Sequence, residues 1–462
     1  MKILLVMADA HMHKLEIGPF KRSMREAPLS LTTLAALTPA DLDIELKIVD
    51  ESIDKIPLDY PADLVGISAI TGTAPRVYQL ADHFRARGIP VVLGGVHVTI
   101  LPEEASEHAD SLVIGRAEGV WPQLLRDFKE GKLQKIYQEI EIEGEWLENV
   151  PIARRDLQRY SGYMMPNTLH ATRGCKHACD FCTVAAVWPK YLKRPVADVV
   201  EDIKSIKSKY FVFNDVSLLD DVEYSKELLT AIIPLKKRWG GLATTTVSEN
   251  LELMELLRKS GCAYLLLGFE TIEQKNLNKI YKGFNRSNDY QKVMEVMHEY
   301  GISVQGCFVL GLDQDDKTTF ARTVELVNEL KIDIPRYSLY TPYPGTRLFQ
   351  RLHSEKRILS YDWNDYDTMH VVIKPALMSP EELYDGFKWT YKETFKMKHI
   401  AKRTRALDLS FPINFIGNLA YQIFVRRLYH EPRFALPYSL EQPEFDASRF
   451  AKLNLMEASC PV

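Results

Sequence analysis

The sequence predicts an α/β protein in three parts: an N-terminal doubly wound Rossmann-like domain, a partial (β/α)6 barrel, and a mostly helical C-terminal region. Three observations predict it. Short apolar runs alternate with helical stripes through the first 140 residues, the pattern of a parallel sheet covered on both faces. A second strand–helix series begins near residue 167, with polar groups at one end of each strand. Beyond residue 350 the strand signals give way to helical ones. The expected units are residues 1–140, a linker at 141–166, a core at 167–350 and a C-terminal region at 351–462.

In the first unit, strands are expected at 3–7, 45–49, 64–67, 90–93 and 110–114. Helices are expected at 29–37 and 75–87, the second closed by Gly88. The strand ends carry Asp50, then Ser68 and Thr71, then Gly94-Gly95, then Gly115-Arg116-Ala117-Glu118. Ligands of such sheets bind at the carboxyl ends of the strands. In the core, a strand at 169–172 enters a cysteine loop, and a helix at 195–206 has Pro195 near its first turn. Further strands are expected at 210–213, 242–245, 263–268, 304–310 and from 336. They end respectively in Asn214-Asp215, Thr244-Thr245-Thr246, Gly268-Phe269-Glu270, Gly311-Leu312-Asp313 and Tyr340-Thr341-Pro342. Asp315 and Asp316 open a helix at 318–330, where acids complement the helix dipole. Ser379 and Glu382 form a capping box for a helix at 381–397, and an aromatic-rich stretch covers 411–428.

The chain has 462 residues, 46% apolar and 26% charged, with a formal net charge of -4. That balance gives no reason to expect nucleic acid. Half of the 6 cysteines sit in one loop, a usage suited to a reducing compartment. The opening apolar run is too short for a signal peptide, and no run approaches the roughly 20 residues of a membrane span. A cytoplasmic enzyme is expected.

Cys175, Cys179 and Cys182 have the spacing C-x3-C-x2-C, with no fourth cysteine nearby. Thiolate-rich sites favour zinc or iron–sulfur. Three thiolates hold three irons of a cubane cluster and leave the fourth open. Structural zinc normally takes four protein ligands, and four-cysteine ferredoxin spacings differ from this one. A zinc site completed by His177, or a trio of buried thiols, is the alternative. Cys262 and Cys307 read as packing thiols and Cys460 as a tail cysteine.

This loop, with Phe181 just before its last cysteine, resembles the signature of the radical S-adenosylmethionine (SAM) superfamily. The resemblance implies that Cys175, Cys179 and Cys182 hold a [4Fe-4S] cluster and that the open iron chelates SAM. Reductive cleavage then yields a 5′-deoxyadenosyl radical. It also implies roles for Glu270 on the methionine amino group or ribose, for Gly311 behind the methionine, and for Tyr340 and Pro342 beside the adenine. Asp215 is assigned to a ribose hydroxyl, a substrate hydroxyl or the ordering of the cluster loop.

Ser68-x-x-Thr71, then Gly94-Gly95-Val96-His97, resembles the cobalamin-binding domain that precedes many radical SAM cores. On that likeness the glycines let backbone approach a planar corrinoid, Ser68 and Thr71 bond its nucleotide tail, and His97 lies nearby. His11, after the first strand, stands where corrinoid methyltransferases place a cobalt ligand. Two departures are Lys14 in place of a glycine and Arg116 in place of an acid. The implied cofactors are the [4Fe-4S] cluster and SAM, with cobalamin as a further candidate.

The expected reaction is cobalamin-dependent methyl transfer to an unactivated carbon of a lipid or natural-product intermediate. The alternative, favoured by Lys14 and Arg116, is a cobalamin-independent dehydration, rearrangement or bond formation. Expected partners are a small-molecule or lipid-like substrate and a reductant such as flavodoxin or ferredoxin. A peripheral membrane contact is the less favoured use of the C-terminal region. There Tyr384, Trp389, Tyr391 and Phe395 are expected to offer apolar faces to substrate, and Lys388, Lys392 and Lys396 a basic stripe. A packed helical subdomain with snorkelling charges is the competing account.

Overall fold

The computed structural model describes residues 1–9, 14–17, 20–139, 143–188, 190–404 and 411–430. β1 (Lys2–Met7) buries Ile3, Leu4, Leu5 and Val6 completely, as a strand must when both faces of its sheet are covered. Successive side chains point to opposite faces. Leu4 and Val6 therefore enter one core, and Ile3 and Leu5 another. A hairpin follows, β2 (Lys14–Ile17) and β3 (Phe20–Glu26). Then β4 (Glu45–Asp50), β5 (Leu64–Ser68), β6 (Val91–Gly94), β7 (Ser111–Gly115) and β8 (Ile136–Glu139) join β1. The resulting parallel sheet has the order β4-β1-β5-β6-β7-β8. The chain leaves β1 for one side and returns to the other at β5, so a crevice opens at their carboxyl ends. Open parallel sheets bind ligands in such a crevice.

The stretch expected as a linker holds a strand, β9 (Tyr163–Met165), paired in parallel with β3. Tyr163 donates to Asp50 at 2.7 Å. Phe20–Glu26 is mostly charged and polar and carries no apolar alternation, so only the pairing reveals this small sheet.

β10 (Thr168–Leu169) begins the second parallel sheet. β11 (Thr172–Arg173) and β12 (Leu192–Lys193) pair antiparallel and close the cysteine loop at its base. β13 (Tyr210–Phe213), β14 (Arg238–Ala243), β15 (Cys262–Glu270), β16 (Ser303–Leu310) and β17 (Ile334–Leu339) follow. The order is β10-β13-β14-β15-β16-β17, strictly sequential, with β10 and β17 as its edges. β14 corrects the strand expected at 242–245: it starts at Arg238 and ends at Ala243. In the sheet, the Tyr264 ring occupies the space a side chain at 240 would need.

The C-terminal region is helical, with Pro380–Thr394, Met397–Arg403 and Phe411–His430. The Ser379–Glu382 capping box forms as expected. The substrate-facing role expected for its aromatics is corrected. Tyr391 and Phe395 are buried in the core with Tyr384, and only Trp389 is exposed. Lys388 pairs with Asp385, and Lys396 with Glu393. Packing outweighs exposure because three large rings bury more apolar area inside than any surface use would retain. Helix Phe411–His430 seals the amino-terminal end of β16 and β17. Asn414 donates to Ser303 and Asp333 at 3.0 Å, and Asn418 to the Asp333 carbonyl at 2.8 Å. Residues 358–373 instead return to the first sheet, where Trp363, Tyr366, Val372 and Ile373 join its core. Among the described residues, no helix is long and apolar enough to cross a membrane.

Candidate functional site

The carboxyl ends of both sheets face a shared cavity of about 490 Å³, within the usual range for small-molecule sites. Ser68, Gly94, Gly95, Arg116 and Glu118 line it from the first sheet. His170, Thr172, Arg173, Gly174 and Trp188 line it from the second. The two halves are tied by an ion pair: Arg173 meets Glu118 at 2.6 Å. Burial raises the Glu118 pKa, but Arg173 and Arg116 outweigh it and hold the carboxyl below its usual range. Arg116 thus occupies its position as a counter-ion to Glu118, 3.6 Å away.

The cysteine loop leaves β11 at this cavity. Cys175, Cys179 and Cys182 are half-buried free thiols. Burial pushes Cys179 up to about 12 and raises Cys175 and Cys182 too, which favours the protonated thiols over thiolates until a metal binds. Loading a metal must release those protons. The loop's path is set by the protein itself. Asp180 donates its N–H to the Ile280 carbonyl, and its own carbonyl accepts from Leu348 N–H at 3.0 Å. Its carboxylate accepts from Tyr340 at 2.9 Å. Upstream, the Asp215 carboxylate accepts from the N–H groups of Ala171 and Thr172 and from the Thr172 hydroxyl.

Thiolates on one tetrahedral zinc, about 2.3 Å from the metal, converge to within about 4 Å of each other. Among the described residues no three His, Cys, Asp or Glu side chains converge in that way. His177, the suggested zinc completer, stacks on Phe284 and lies 3.4 Å from Asp220. Three thiols on one pinned loop match in number the three irons that a cubane cluster presents to protein sulfur.

Gly174 makes the loop's entry. Its φ of 84° lies in the left-handed region, and a Cβ there would overlap the Lys190 carbonyl oxygen, which is backbone and cannot yield. Gly174→Ala should therefore cost the roughly 1–3 kcal/mol of such strain plus the collision, and should abolish iron loading. Gly131→Ala is the control, since Gly131 has a similar φ of 71° with nothing nearby. Iron per protein chain and melting temperature, compared for the two variants, check this expectation. Equal iron content in both would contradict it.

Glu270 ends β15 with a φ of 66° and is buried. Its carboxylate meets Lys282 Nζ at 2.5 Å, and both lie over Gly268, where a Cβ would have no space. Burial works against charge on Lys282, but Glu270 and the nearby cysteine sulfurs outweigh it and raise its pKa. Lys282 was not visible as a site residue in the sequence, since nothing local marks a partner twelve positions away on another element.

Several expected site residues hold the fold rather than face the cavity. Asp215 is 1% exposed and committed to the backbone at 171–172, the loop-ordering role among the three left open. Tyr340 is buried and spends its hydroxyl on Asp180, while Phe181 packs edge-on to its ring at 6.4 Å. Pro342 is buried in the following loop. Gly311 donates to Asp315 at 2.9 Å, with Leu383 against its Cα. Asp315 also accepts from Leu312 and Asn276. It braces that loop and does not cap the helix. Asp316 alone does so.

In the first sheet, Ser68 and Gly94 line the cavity, but Thr71 and His97 do not. His97 is fully buried and lies among Thr71, Tyr78 and Glu104, at 3.4, 3.1 and 3.2 Å. Trp363 donates to the same Glu104 at 3.1 Å. His97 is thus a satisfied core histidine, a correction to its assignment. Gly95, with φ 102°, is required by close approach to the Ala69 carbonyl, where a Cβ would stand 2.6 Å away. Its reason is therefore internal to the protein. His11 and Cys460 lie outside the described residues.

His170 was missed. Among the described residues its buried Nδ1 has no hydrogen-bond partner, and it stands 4.0 Å from Asp215. Burial, with help from Arg173 and Arg194, pushes the imidazole down to about 3, so it is neutral at the cavity wall. Arg116 Nε, also buried, makes no hydrogen bond but is ion-paired with Glu118 and Glu139 at 3.6 and 4.0 Å. An orphaned imidazole nitrogen at a cavity wall fits a polar cofactor edge placed there.

Residues 169–327 match the radical SAM superfamily and residues 2–125 the B12 binding domain. The chain is 30% identical over 419 residues to bacteriochlorophyllide d C-12(1)-methyltransferase of Chlorobaculum tepidum, covering 87% of this chain and 90% of that protein. Bacteriochlorophyllide d C-8(2)-methyltransferase of the same organism is 29% identical, with 86% and 92% covered. Hopanoid C-2 methylase of Rhodopseudomonas palustris is 24% identical, with 72% and 66% covered. Among solved structures, the radical SAM methyltransferase TsrM of Kitasatospora setae, with cobalamin and [4Fe-4S] cluster bound, superposes with a TM-score of 0.64 at 17% identity. That match covers 84% of this chain and 85% of TsrM. The cobalamin-dependent radical enzyme OxsB gives 0.62 at 13% identity, covering 94% of this chain and 75% of that one.

Proposed function

The chain belongs to the radical SAM superfamily, in the branch carrying an N-terminal B12 binding domain, and from that premise we propose a cobalamin-dependent methyltransferase. It acts on an unactivated carbon of a lipid or natural-product intermediate. The observation that carries the reading is the shared cavity: the ligand-binding edge of the first sheet and the entry to the cysteine loop open onto one space. The methyltransferase names of the most extensively aligned relatives support it.

The chemistry supplied by the bound groups is a reductively generated 5′-deoxyadenosyl radical from cluster and SAM, and a methyl carried by cobalamin. The chain's residues do the rest. Cys175, Cys179 and Cys182 would hold the cluster on a loop pinned by Asp180 and Asp215. Glu270 and Lys282 present a fixed pair of charges beside it, able to orient an amino acid head group. Ser68, Gly94, His170 and Arg116 would border the corrinoid. The pinning ion pair Arg173–Glu118 keeps both cofactor edges in register and limits water between them. Flavodoxin or ferredoxin would supply the electron.

The test is anaerobic reconstitution with iron, sulfide and hydroxocobalamin, followed by gel filtration. A retained corrinoid spectrum, with S-adenosylhomocysteine and 5′-deoxyadenosine both produced on turnover, is expected. No corrinoid retained under saturating cobalamin would overturn methyl transfer and leave the cobalamin-independent radical reaction.

A further inference from the structure

We propose that Arg336 anchors the substrate by a carboxylate, and that the substrate is an apolar multi-ring acid held against the inner face of the second sheet. The proposal deepens the function proposed above and rests on it for the identity of the reacting site.

The sheet has two faces with different contents. Leu265, Leu267 and Phe269 of β15, Phe308 of β16 and Tyr337 of β17 are buried in the core. The alternate positions point the other way and are half-buried: Gly268, Cys307 and Arg336. These three form one rung, since Gly268 pairs with Cys307 and Cys307 with Arg336. Neighbouring strands lie about 4.8 Å apart, so Arg336 stands roughly 10 Å across the sheet from Gly268. Over Gly268 sit Glu270 and Lys282. A guanidinium and the candidate SAM-side pair therefore stand on one face of the sheet, roughly 10 Å apart. Cys307, between them on the rung, is within electrostatic reach of Arg336, Glu270, Lys282 and Glu26.

Among the described residues, Arg336 has neither a hydrogen bond nor an ion pair. It is surrounded instead, at longer range, by Tyr421, Cys307, Tyr391 and the Glu26 carboxyl. Its polar neighbours are already engaged with each other. Tyr264 donates to Gln305 at 3.0 Å, and Gln305 donates to Tyr421 at 3.0 Å. Tyr421 comes from helix Phe411–His430, which packs on β17. A desolvated guanidinium is costly unless paired. Its planar fork matches a carboxylate bidentately, a match that a lysine does not reproduce. Leu266, two positions before Gly268 on the same half-buried face, offers an apolar surface to the body of the ligand.

The test needs no turnover. Full-length, cluster-reconstituted protein is titrated by fluorescence with pheophorbide a, which has one free propionate, and with its methyl ester. The wild type should bind the acid at least about tenfold more tightly than the ester. Arg336→Met should bind both alike, and Arg336→Lys should keep part of the preference. Glu26→Gln, which removes the nearby competing carboxylate, should tighten acid binding. Iron content and melting temperature report whether each variant folds. Equal binding of acid and ester by the wild type, an intact preference in Arg336→Met, weaker acid binding in Glu26→Gln, or no binding of either probe would each overturn the proposal. Neither SAM nor corrinoid takes part, so a failed methyl-transfer assay and a failed anchor are read separately.

Discussion

Replacing Cys175, Cys179 and Cys182 together by alanine should abolish reductive cleavage of SAM, to the level of buffer alone. No other described cysteine can substitute. Cys262 is buried at the amino-terminal start of β15, the end of the strand away from the cavity. Cys307 lies inside β16, on the sheet rather than on the loop. The fold should survive the change. The loop is held by Asp180 backbone bonds to Ile280 and Leu348 and by Asp215 at its base, none of which involves sulfur. The triple variant should therefore melt close to the iron-free wild type while forming no 5′-deoxyadenosine with dithionite. Cleavage retained in the triple variant would remove the cluster from these residues.

Lys282→Met should destabilise the second sheet by about 3–5 kcal/mol, the cost of stranding a buried charge. Glu270 and Lys282 are each 8% exposed, so water cannot take the missing partner's place. For a unit of this size the loss corresponds to a fall of roughly 10 °C in melting temperature. Glu270→Gln combined with Lys282→Met should regain part of the loss, because no carboxylate is then left unpaired. Calorimetry of the four proteins in the cycle measures the coupling. A single-variant shift of a degree or two would mean that the pair is not what holds Glu270 over Gly268.

Much of the fold was legible because its signals are local. Four consecutive apolar residues in β1 mark a doubly covered strand, and Ser379 with Glu382 marks a helix start. The cysteine spacing and the strand-end motifs were equally local, and they led to the families that match. The errors share a physical cause as well. The strand expected at 242–245 begins earlier, at Arg238, because the glycines at 240 and 241 carry no apolar signal and the Tyr264 ring beside Gly240 comes from another strand. His97 resembles a ligand until Tyr78, Glu104 and Trp363 are seen around it. Tyr384, Tyr391 and Phe395 look available on a helical wheel and are buried by helix Phe411–His430 and the sheet.

By itself, the sequence determined the succession of an α/β domain, a second strand–helix series and a helical region, the cysteine spacing, and the edge of each parallel sheet where polar groups gather. These follow from side-chain periodicity and short spacings, which act over a few residues. Only the tertiary structure decided which groups share a space. It brought Lys282 onto Glu270, Arg173 onto Glu118 and Tyr340 onto Asp180, and among the described residues it left Arg336 without a hydrogen bond or ion pair. Those outcomes depend on desolvation and charge pairing between elements far apart in the chain, which are set when the sheets pack and have no signature in any one segment.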